Sequence, residues 1–519
     1  MREKAGYSWL IEQYQLPVIG LWQHCYIDSA TKGRQSQDLG EHQVQLFAPN
    51  YQPPAEASAH LQFALRYEGL NLQALSLLFD QLPPGVLCDW ILQNPTSAYA
   101  RRGCFLYEWI TGLLLPVDDP VPPKAKYVDI VDPEQEFTSG RGAKVPRFRV
   151  NNNLPGTPAF CPMVRKTDKL KTMVNKDLRH RTRKALARYD QDLLRRAAAF
   201  LYLKETQSSF EVEREMPSPD RAQRFADLLR QADTGESLTE QRLLELQNAI
   251  IDPRFHEFGW RHQQNWIGED LGYRQRVEFV PARPEDLQGL MQGLLDTAAK
   301  ARAAGLEDDT GALPFDPVVY AAVIAFGFVF IHPFMDGNGR IHRYLIHEVL
   351  ANAGFTPRGI VLPVSAVILA NLDEYVAVLQ AFSGPLRART QYTPATPELP
   401  ATGNDAVYFR FFDATPQAEF LYRALERTLE EDLQQEIDFL LGFDKARKEL
   451  NNLLDWPRHD LDLFIRVVHQ NGGELSANKR KSHFNWMREE EISEAQIIVA
   501  QAFANLPGRK TADPGDSKR

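Results

Sequence analysis

A short segment near the middle of the chain carries the side chains best suited to catalysis. It reads HPFMDGNGRIHR and spans residues 332–343. It combines a histidine (His332), an acid (Asp336), a bare Gly-Asn-Gly backbone and two arginines (Arg340 and Arg343). A histidine whose pKa is near neutral can take a proton from an attacking hydroxyl. The segment therefore places a base beside groups that bind anions.

The glycine-rich part of this segment predicts a phosphate-binding site. Gly337, Asn338 and Gly339 lack bulky side chains, so several backbone N–H groups are left free where the next helix begins. Arg340 and Arg343 are spaced i and i+3 and share a helix face, where two guanidinium groups can clamp phosphates. We expect a nest for phosphate groups at this helix terminus.

The acid of the segment is placed to hold a divalent cation. Magnesium in nucleotide sites takes one or two protein carboxylates, and phosphate oxygens and waters complete its shell. With His332 as the base and Asp336 as the magnesium ligand, the segment describes the transfer of a phosphate-containing group to a hydroxyl.

Other readings of the segment fail on spacing. A calcium loop needs oxygen ligands where Arg340 stands, and His347 rather than an acid falls at its twelfth position. His342 and His347 do not have the H-E-x-x-H spacing of a zinc protease. The chain has no G-x-x-x-x-G-K-[ST] segment, so phosphate binding here does not use that loop.

A buried helix is predicted to position the histidine. Asp316 and Pro317 suit the N-cap and first position of a helix, and VVYAAVIAFGFVFI, which follows, is apolar on every side. Such a helix lies at the centre of a domain. His332 stands at its end, and Phe334 is expected to pin the following turn in the core.

The segment resembles the signature of Fic-domain proteins, H-P-F-x-[D/E]-G-N-G-R-x-x-R, at every defined position. RHQQNWIG and VEFVPARPEDLQGLM upstream, and LPVSAVILANLDEYVAVLQAFSGPL downstream, resemble that family's flap and closing helices. The resemblance covers roughly residues 200–390. It implies transfer of AMP from ATP to a Ser, Thr or Tyr hydroxyl of a target protein.

The resemblance also implies a role for each residue of the motif. His332 is the general base and Asp336 holds Mg²⁺. Gly337, Asn338 and Gly339 cradle the phosphates of ATP, while the two arginines grip its β and γ groups. The chain itself could also carry an acceptor hydroxyl, and a homodimer stays open.

A short helical pattern resembles the family's inhibitory motif, [S/T]-x-x-x-E-[G/N]. SFEVER supplies Ser209 and Glu213 on one predicted helix face, ahead of the core as in the class with an N-terminal inhibitory helix. Glu213 is expected to pair with Arg343, but Arg214 stands where the pattern has glycine or asparagine. A solvated helix face is the alternative. ALRYEG is a weaker match that places Glu68 at the glutamate position, with alanine replacing the hydroxyl residue.

A β-hairpin is predicted among the helices. QNWIG and RVEFV are short runs of strand formers around a glycine-containing loop. By the resemblance, Gln264, Asn265, Trp266, Ile267 and Gly268 belong to the flap that pairs its edge with an extended segment of the target.

Composition narrows the class of protein. The chain has 519 residues and a formal net charge of −9, which argues against a general binder of nucleic acid or of anionic membranes. Its four cysteines form no C-x-x-C pair, and its first residues lack the apolar core of a signal peptide. We expect a bacterial, cytoplasmic protein that spans no membrane.

The predicted fold is mainly α: a Fic-type helical bundle with a hairpin flap and with N- and C-terminal helical extensions. We divide the chain into an N-terminal domain of unknown role (1–190), a Fic domain with its inhibitory helix (191–395), a C-terminal helical region (406–505) and a disordered tail (506–519). TPATPELPATGND at 393–405 reads as a linker. Ser218 with Pro219, and Ser237 with Glu240, are predicted helix starts.

Two further functions stay open at this point. A Fic-type enzyme could use another nucleotide or a phosphocholine donor, or could remove AMP with water positioned by Glu213. A regulator could instead bind DNA or a partner through the C-terminal region, where a winged-helix-like pattern carries a basic cluster. The cluster consists of Lys479, Arg480, Lys481 and His483.

Overall fold

The computed structural model describes residues 2–40, 42–140, 142–233, 235–272, 275–304, 315–394 and 400–504. These residues form a mainly α fold, as predicted, and the small sheets are confined to the N-terminal region and one hairpin. The predicted disordered tail lies outside the described residues, as does the middle of the predicted linker.

The N-terminal region combines helices with two small sheets. Its strands are β1 (Arg2–Ala5), β2 (Gln23–Asp28), β3 (Arg34–Asp38), β4 (Gln43–Phe47), β5 (Val128–Asp129), β6 (Ala143–Val145) and β7 (Val150–Asn152). Its helices are α1 (Tyr7–Tyr14), α2 (Ala57–Tyr67), α3 (Leu72–Phe79), α4 (Pro84–Gln93) and α5 (Ala98–Thr111). The strand orders are β1-β2-β4-β3 and β5-β7-β6.

The helical extension predicted for this region therefore contains strands as well. Strand β3, RQSQD, is exposed along its whole length and has no alternation of apolar and polar residues. Strand β2 pairs in parallel with β4, so its register depends on a partner distant in sequence. All four cysteines of the chain are free and buried.

The motif lies in the helical core that follows. The helices are α6 (Asp168–Asn175), α7 (Leu178–Leu186), α8 (Gln191–Val212), α9 (Pro219–Arg230), α10 (Glu240–Ile250), α11 (Leu287–Ala304), α12 (Pro317–Ile331), α13 (Asn338–Asn352), α14 (Val364–Ala370), α15 (Leu372–Arg389), α16 (Ala406–Arg410) and α17 (Thr415–Arg427). Strands β8 (Ile267–Asp270) and β9 (Gln275–Phe279) pair as the predicted hairpin.

Helix α12 is the centre of this core. Nearly every side chain of α12 is buried, and the largest hydrophobic cluster around it extends from Phe160 to Leu440. That cluster reaches beyond both ends of the predicted 191–395 domain, because α6 and α7 on one side and α17 and the start of the next helix on the other pack into it.

Helix starts were predicted with mixed success. Asp316 caps α12 by accepting from Val318 N and Val319 N, and Ser218 caps α9 with Pro219 at its first position. The predicted cap at Ser237 is wrong, because the Thr239 side chain caps α10 instead. Ser237 and Thr239 both carry a hydroxyl that can cap a helix, so the sequence pattern alone did not decide between them.

The C-terminal region is helical. It consists of α18 (Leu433–Leu453), α19 (Arg458–Gln470), α20 (Ala477–His483) and α21 (Glu489–Ala504), around a separate hydrophobic cluster. Within residues 406–504 the structure has no strand, so the β wing of a winged helix is missing there. The basic cluster lies on the short helix α20, where Arg480 pairs with Glu489.

No single helix of the described ranges is long and apolar enough to cross a bilayer; only α14 and α15 taken together pass that test, and they meet at 93°.

Candidate active site

His332 ends α12 in a left-handed conformation, with φ of 58°. Its N–H closes the helix by donating to the Phe328 carbonyl oxygen at 2.9 Å. The ring Nδ1 lies 3.1 Å from the Val329 carbonyl oxygen, which can only accept. The neutral ring is therefore assigned a proton on Nδ1, and Nε2 is left as the base. Burial lowers the pKa of His332 to about 4, so the ring is neutral at pH 7.

The loop after His332 is closed by the side chain of Asn338. Phe334 N donates to Asn338 Oδ1 at 3.1 Å, and Asn338 Nδ2 donates to the Phe334 carbonyl oxygen at 2.8 Å. The buried Asn338 side chain is thus engaged within the loop, and its backbone N–H remains to meet a phosphate. Gly337 precedes α13 with φ of 92°, a conformation that side-chain-bearing residues rarely adopt. The two residues turn the chain into the first turn of α13, whose free amides can bind an anion.

Asp336 has one oxygen in use within the protein. Its Oδ1 accepts from Gly337 N at 2.6 Å and from Arg340 Nη2 at 2.9 Å, and its side chain is 53% exposed. No cluster of three or more metal-ligating side chains occurs in the part of the chain that the structure describes. A single exposed carboxylate still fits Mg²⁺ that is held mainly by phosphate oxygens and waters.

Glu213 and Ser209 hold Arg343 at the end of α8. Arg343 Nη1 donates to Glu213 Oε1 at 2.9 Å, and Nε donates to Ser209 Oγ at 2.8 Å. Nη2 adds a bond of 2.6 Å to the Ser209 carbonyl oxygen. The side chain of Arg343 is 1% exposed and that of Glu213 is 38% exposed. The pairing that was predicted for Glu213 is present, although Glu213 lies just past the last residue of the helix.

The Glu213 carboxylate lies against the first turn of α13. A Cβ built on Gly339 would stand 2.0 Å from Glu213 Oε1. Burial raises the pKa of Glu213, but the charge and hydrogen bond of Arg343 outweigh it and hold this pKa below its usual value. The ionised carboxylate therefore lies beside the positive end of the helix, in space that a phosphate group would also favour.

Arg340 is bound by a second glutamate. Its Nη1 donates to Glu215 Oε2 at 2.9 Å, and its guanidinium lies 5.2 Å from the centre of the Phe210 ring. With Asp336 on Nη2, this nearly buried arginine has two carboxylate partners. Both motif arginines are thus paired with acids that follow α8.

Arg214 separates these two glutamates and is strained. Its φ of 57° lies in the left-handed region, which costs a residue with a side chain roughly 1–2 kcal/mol. This turn directs Glu213 to Arg343 and Glu215 to Arg340. The glycine or asparagine of the family pattern would adopt the same backbone more easily.

Arg261 joins the hairpin to His332. Its Nε donates to the His332 carbonyl oxygen at 2.8 Å and its Nη1 to the Gln263 carbonyl oxygen at 2.8 Å, while Nη2 donates to the Ala282 carbonyl oxygen. These last two carbonyls flank the hairpin. Burial lowers the pKa of Arg261 to about 10, so the side chain stays charged at pH 7.

We expect Arg261→Met to lower the free energy of unfolding by about 2–4 kcal/mol, because three carbonyl oxygens, one of them in a fully buried hydrogen bond, lose a charged donor. Urea denaturation measures the change. The matched control is Arg276→Met on the hairpin, whose side chain is 54% exposed and whose solvent-screened ion pairs should contribute little to stability. Equal losses in the two variants would contradict the role given to Arg261.

The predicted flap residues divide into two groups. Ile267 and Gly268 begin β8, whereas Gln264, Asn265 and Trp266 form the segment before it. Asn265 Nδ2 donates to the Phe334 carbonyl oxygen at 3.1 Å, which brings this segment to the motif.

The alternative glutamate of the sequence analysis lies elsewhere. Glu68 accepts from Tyr7 N at 2.9 Å in the N-terminal region. Sequence reasoning missed Glu215 and Arg261, which bind the motif directly. Neither has a distinctive pattern around it, because both meet the motif through the tertiary fold.

Comparison with known proteins agrees with this geometry. Residues 237–350 match the Fic/DOC family. The chain is similar to protein adenylyltransferase Fic of Drosophila willistoni, at 32% identity over 123 residues, or 23% of this chain and 21% of that protein. It is also similar to protein adenylyltransferase fic-1 of Caenorhabditis elegans, at 30% identity over 114 residues, or 22% of this chain and 20% of that protein. The chain thus spans about a fifth of the length of these curated relatives.

Two solved structures are similar in part. A Fic family protein from Desulfovibrio desulfuricans matches at 19% identity and a TM-score of 0.35, covering 63% of this chain and 87% of that one. A Fic domain containing signaling protein from Bacteroides thetaiotaomicron matches at 22% identity and a TM-score of 0.34, covering 52% and 97%.

Proposed function

We propose that this chain, in which residues 237–350 form a Fic domain, transfers AMP from ATP to a hydroxyl side chain of a protein. The observation that carries the proposal is the convergence at one helix terminus of a neutral histidine base and two buried arginines. The curated relatives bear the name protein adenylyltransferase.

In the proposed reaction, Nε2 of His332 takes the proton from the acceptor hydroxyl as its oxygen attacks the α-phosphorus of ATP. The bond from that phosphorus to the bridging oxygen breaks, and pyrophosphate leaves. The amides of α13 and the arginines of the motif balance the charge of the β and γ groups. Asp336 would hold Mg²⁺, which neutralises phosphate charge when bound.

Two labelled forms of ATP test which group is transferred. The chain is incubated with α-³²P-ATP or γ-³²P-ATP and Mg²⁺, alone and with cell extract. We expect protein-bound label only from the α form, since the γ phosphorus leaves in pyrophosphate. Label from the γ form would indicate phosphoryl transfer and contradict the proposal.

We further propose that Glu213 restrains the reaction. The Glu213 carboxylate pairs with Arg343 and lies beside Gly339. In both places it would occupy the position of a phosphate oxygen of ATP. ATP would then bind with its γ group displaced, which would misalign the α-phosphorus with the acceptor. Inhibition is relieved in this scheme when Glu213 moves away.

The strained turn predicts how firmly Glu213 is held. Replacing Arg214 by glycine should relax the backbone by about 1 kcal/mol and deepen the inhibition, so labelling falls about fivefold. The control is Arg214→Ala, which removes the same charge but retains a Cβ and its strain. An equal fall in both variants would mean that the charge of Arg214, rather than its conformation, sets the inhibition.

The lowered pKa of His332 predicts a flat pH profile. The base is unprotonated well above a pKa of about 4, so kcat/KM for ATP should be constant between about pH 6 and 8. It should fall only as the pH approaches the His332 pKa. A fall with a midpoint near 6.5, the ordinary value for histidine, would contradict the environment described for this ring.

A further inference from the structure

Four large apolar side chains are exposed on the motif or on segments that are hydrogen-bonded to it. Met216 and Phe258 are 96% and 95% exposed, the highest values among the large apolar residues that the structure describes. Phe255 is 60% exposed and Met335 is 49% exposed. We call these four residues the apolar rim. Large apolar side chains that are exposed beside a reactive site are candidates for contact with another molecule.

Each residue of the rim lies on a segment that contacts the motif. Met335 belongs to the motif, and its N–H donates to Glu257 Oε1 at 2.7 Å. Arg261 N donates to the Pro333 carbonyl oxygen at 2.8 Å. Phe258 stands between Glu257 and Arg261, so both of its flanks are fixed to the loop that follows the catalytic histidine.

The other two residues of the rim are placed in the same way. Phe255 lies two positions before Glu257, on the same loop. Met216 directly follows Glu215, which pairs with Arg340 of the motif. The residues of the rim outside the motif therefore lie on two segments that are bound to it, the loop before the hairpin and the turn after α8.

Side-chain hydrogen bonds hold the loop that carries the two phenylalanines. Gln247 Nε2 donates to the Phe255 carbonyl oxygen at 3.3 Å, and Asn248 Nδ2 donates to the Glu257 carbonyl oxygen at 3.1 Å. In return, Glu257 N donates to Asn248 Oδ1 at 3.0 Å. The loop thus presents Phe258 to solvent from a fixed backbone, which lowers the entropic cost of binding.

The position of the rim next to the motif indicates which molecule binds to it. An acceptor hydroxyl must reach Nε2 of His332, so the polypeptide on either side of that hydroxyl must pass over the residues next to the motif. We propose that the apolar rim binds large apolar side chains that flank the modified residue in the target. This selection rests on the proposed function, and it defines a target segment with a hydroxyl residue between apolar neighbours.

Two fluorescent peptides test the rim by binding. They share one threonine, which is flanked by phenylalanine and leucine in the first and by glutamine and serine in the second. Anisotropy titrations use the full chain. We expect the first peptide to bind roughly tenfold more tightly or better, because buried aromatic anchors dominate such contacts. Phe258→Ser should abolish the preference.

The matched control is Leu114→Ser, since Leu114 is 77% exposed but follows α5 in the N-terminal region. It should retain the preference. Equal affinity for both peptides, no binding of either, or loss of the preference in the control would overturn the inference. So would a dimer, measured by light scattering, that Phe258→Ser converts to a monomer, because a second copy would then occupy the rim.

Labelling with α-³²P-ATP separates this inference from the proposed function. If the chain prefers the apolar peptide but neither the wild type nor Glu213→Gly labels any protein, the proposed reaction fails and the binding surface stands. If the chain labels protein but shows no preference between the peptides, the reaction stands and the rim does not select the target.

Discussion

Replacing His332 by alanine is expected to lower AMP transfer by roughly a hundred- to ten-thousandfold, the usual contribution of a general base. The reason is that Nε2 is the basic atom of a ring whose other nitrogen faces the Val329 carbonyl oxygen. Affinity for ATP should change little, because the phosphate-binding amides and arginines are untouched. Labelling rates and calorimetric titration with ATP measure the two quantities.

A buried histidine of the same motif provides the control for His332. His342 is fully buried beside the Phe326 ring and its burial lowers its pKa to about 3. His342→Phe should retain most of the activity, provided that thermal unfolding shows the variant to be folded. A loss of less than about tenfold in His332→Ala would refute the assignment of the base.

Replacing Glu213 by glycine is expected to raise the rate of transfer at least about tenfold, which corresponds to about 1.4 kcal/mol. The change frees Nη1 of Arg343 and the space beside Gly339, so the γ phosphate gains both. Release of pyrophosphate, followed with a coupled enzyme assay, measures the rate. The affinity for ATP should rise in parallel, since phosphate no longer competes with a carboxylate.

Glu211→Gly is the matched control for Glu213→Gly. Glu211 is an exposed glutamate inside the last turn of α8, so its replacement by glycine loosens the helix end at least as much as Glu213→Gly does, while the carboxylate bound to Arg343 stays in place. Equal activation of both variants would mean that a loosened helix end, rather than the lost carboxylate, releases the enzyme.

Much of the site could be predicted because it is local in sequence. Residues 332–343 form one loop and one helix start, and their spacing fixes which groups meet. The apolar helix before them is buried on all sides for the reason that its composition indicated. The resemblance of SFEVER to the inhibitory motif likewise predicted Glu213 as a partner of Arg343, whereas the bond from Arg343 to Ser209 was not predicted.

What the sequence did not reveal depends on distant contacts. Glu215 meets Arg340, and Arg261 meets the carbonyl of His332, only after α8 and the flap pack against the motif. The sequence showed only that Arg214 departs from the glycine or asparagine of the family pattern. The structure gives the reason, because the backbone there has a positive φ, which glycine and asparagine adopt more easily than arginine. The N-terminal sheets were missed because polar, exposed strands such as β3 lack alternation.

The most direct test of AMP transfer, and of its inhibition by Glu213, is mass spectrometry of the Glu213→Gly chain after incubation with ATP and Mg²⁺. We expect an AMP adduct that is bonded through its phosphate to a Ser, Thr or Tyr side chain. The adduct should be much weaker in the wild-type chain and missing from the double variant Glu213→Gly/His332→Ala. A phosphate adduct without adenosine would contradict AMP transfer. Equal modification of the double variant would contradict the role of His332 as the base.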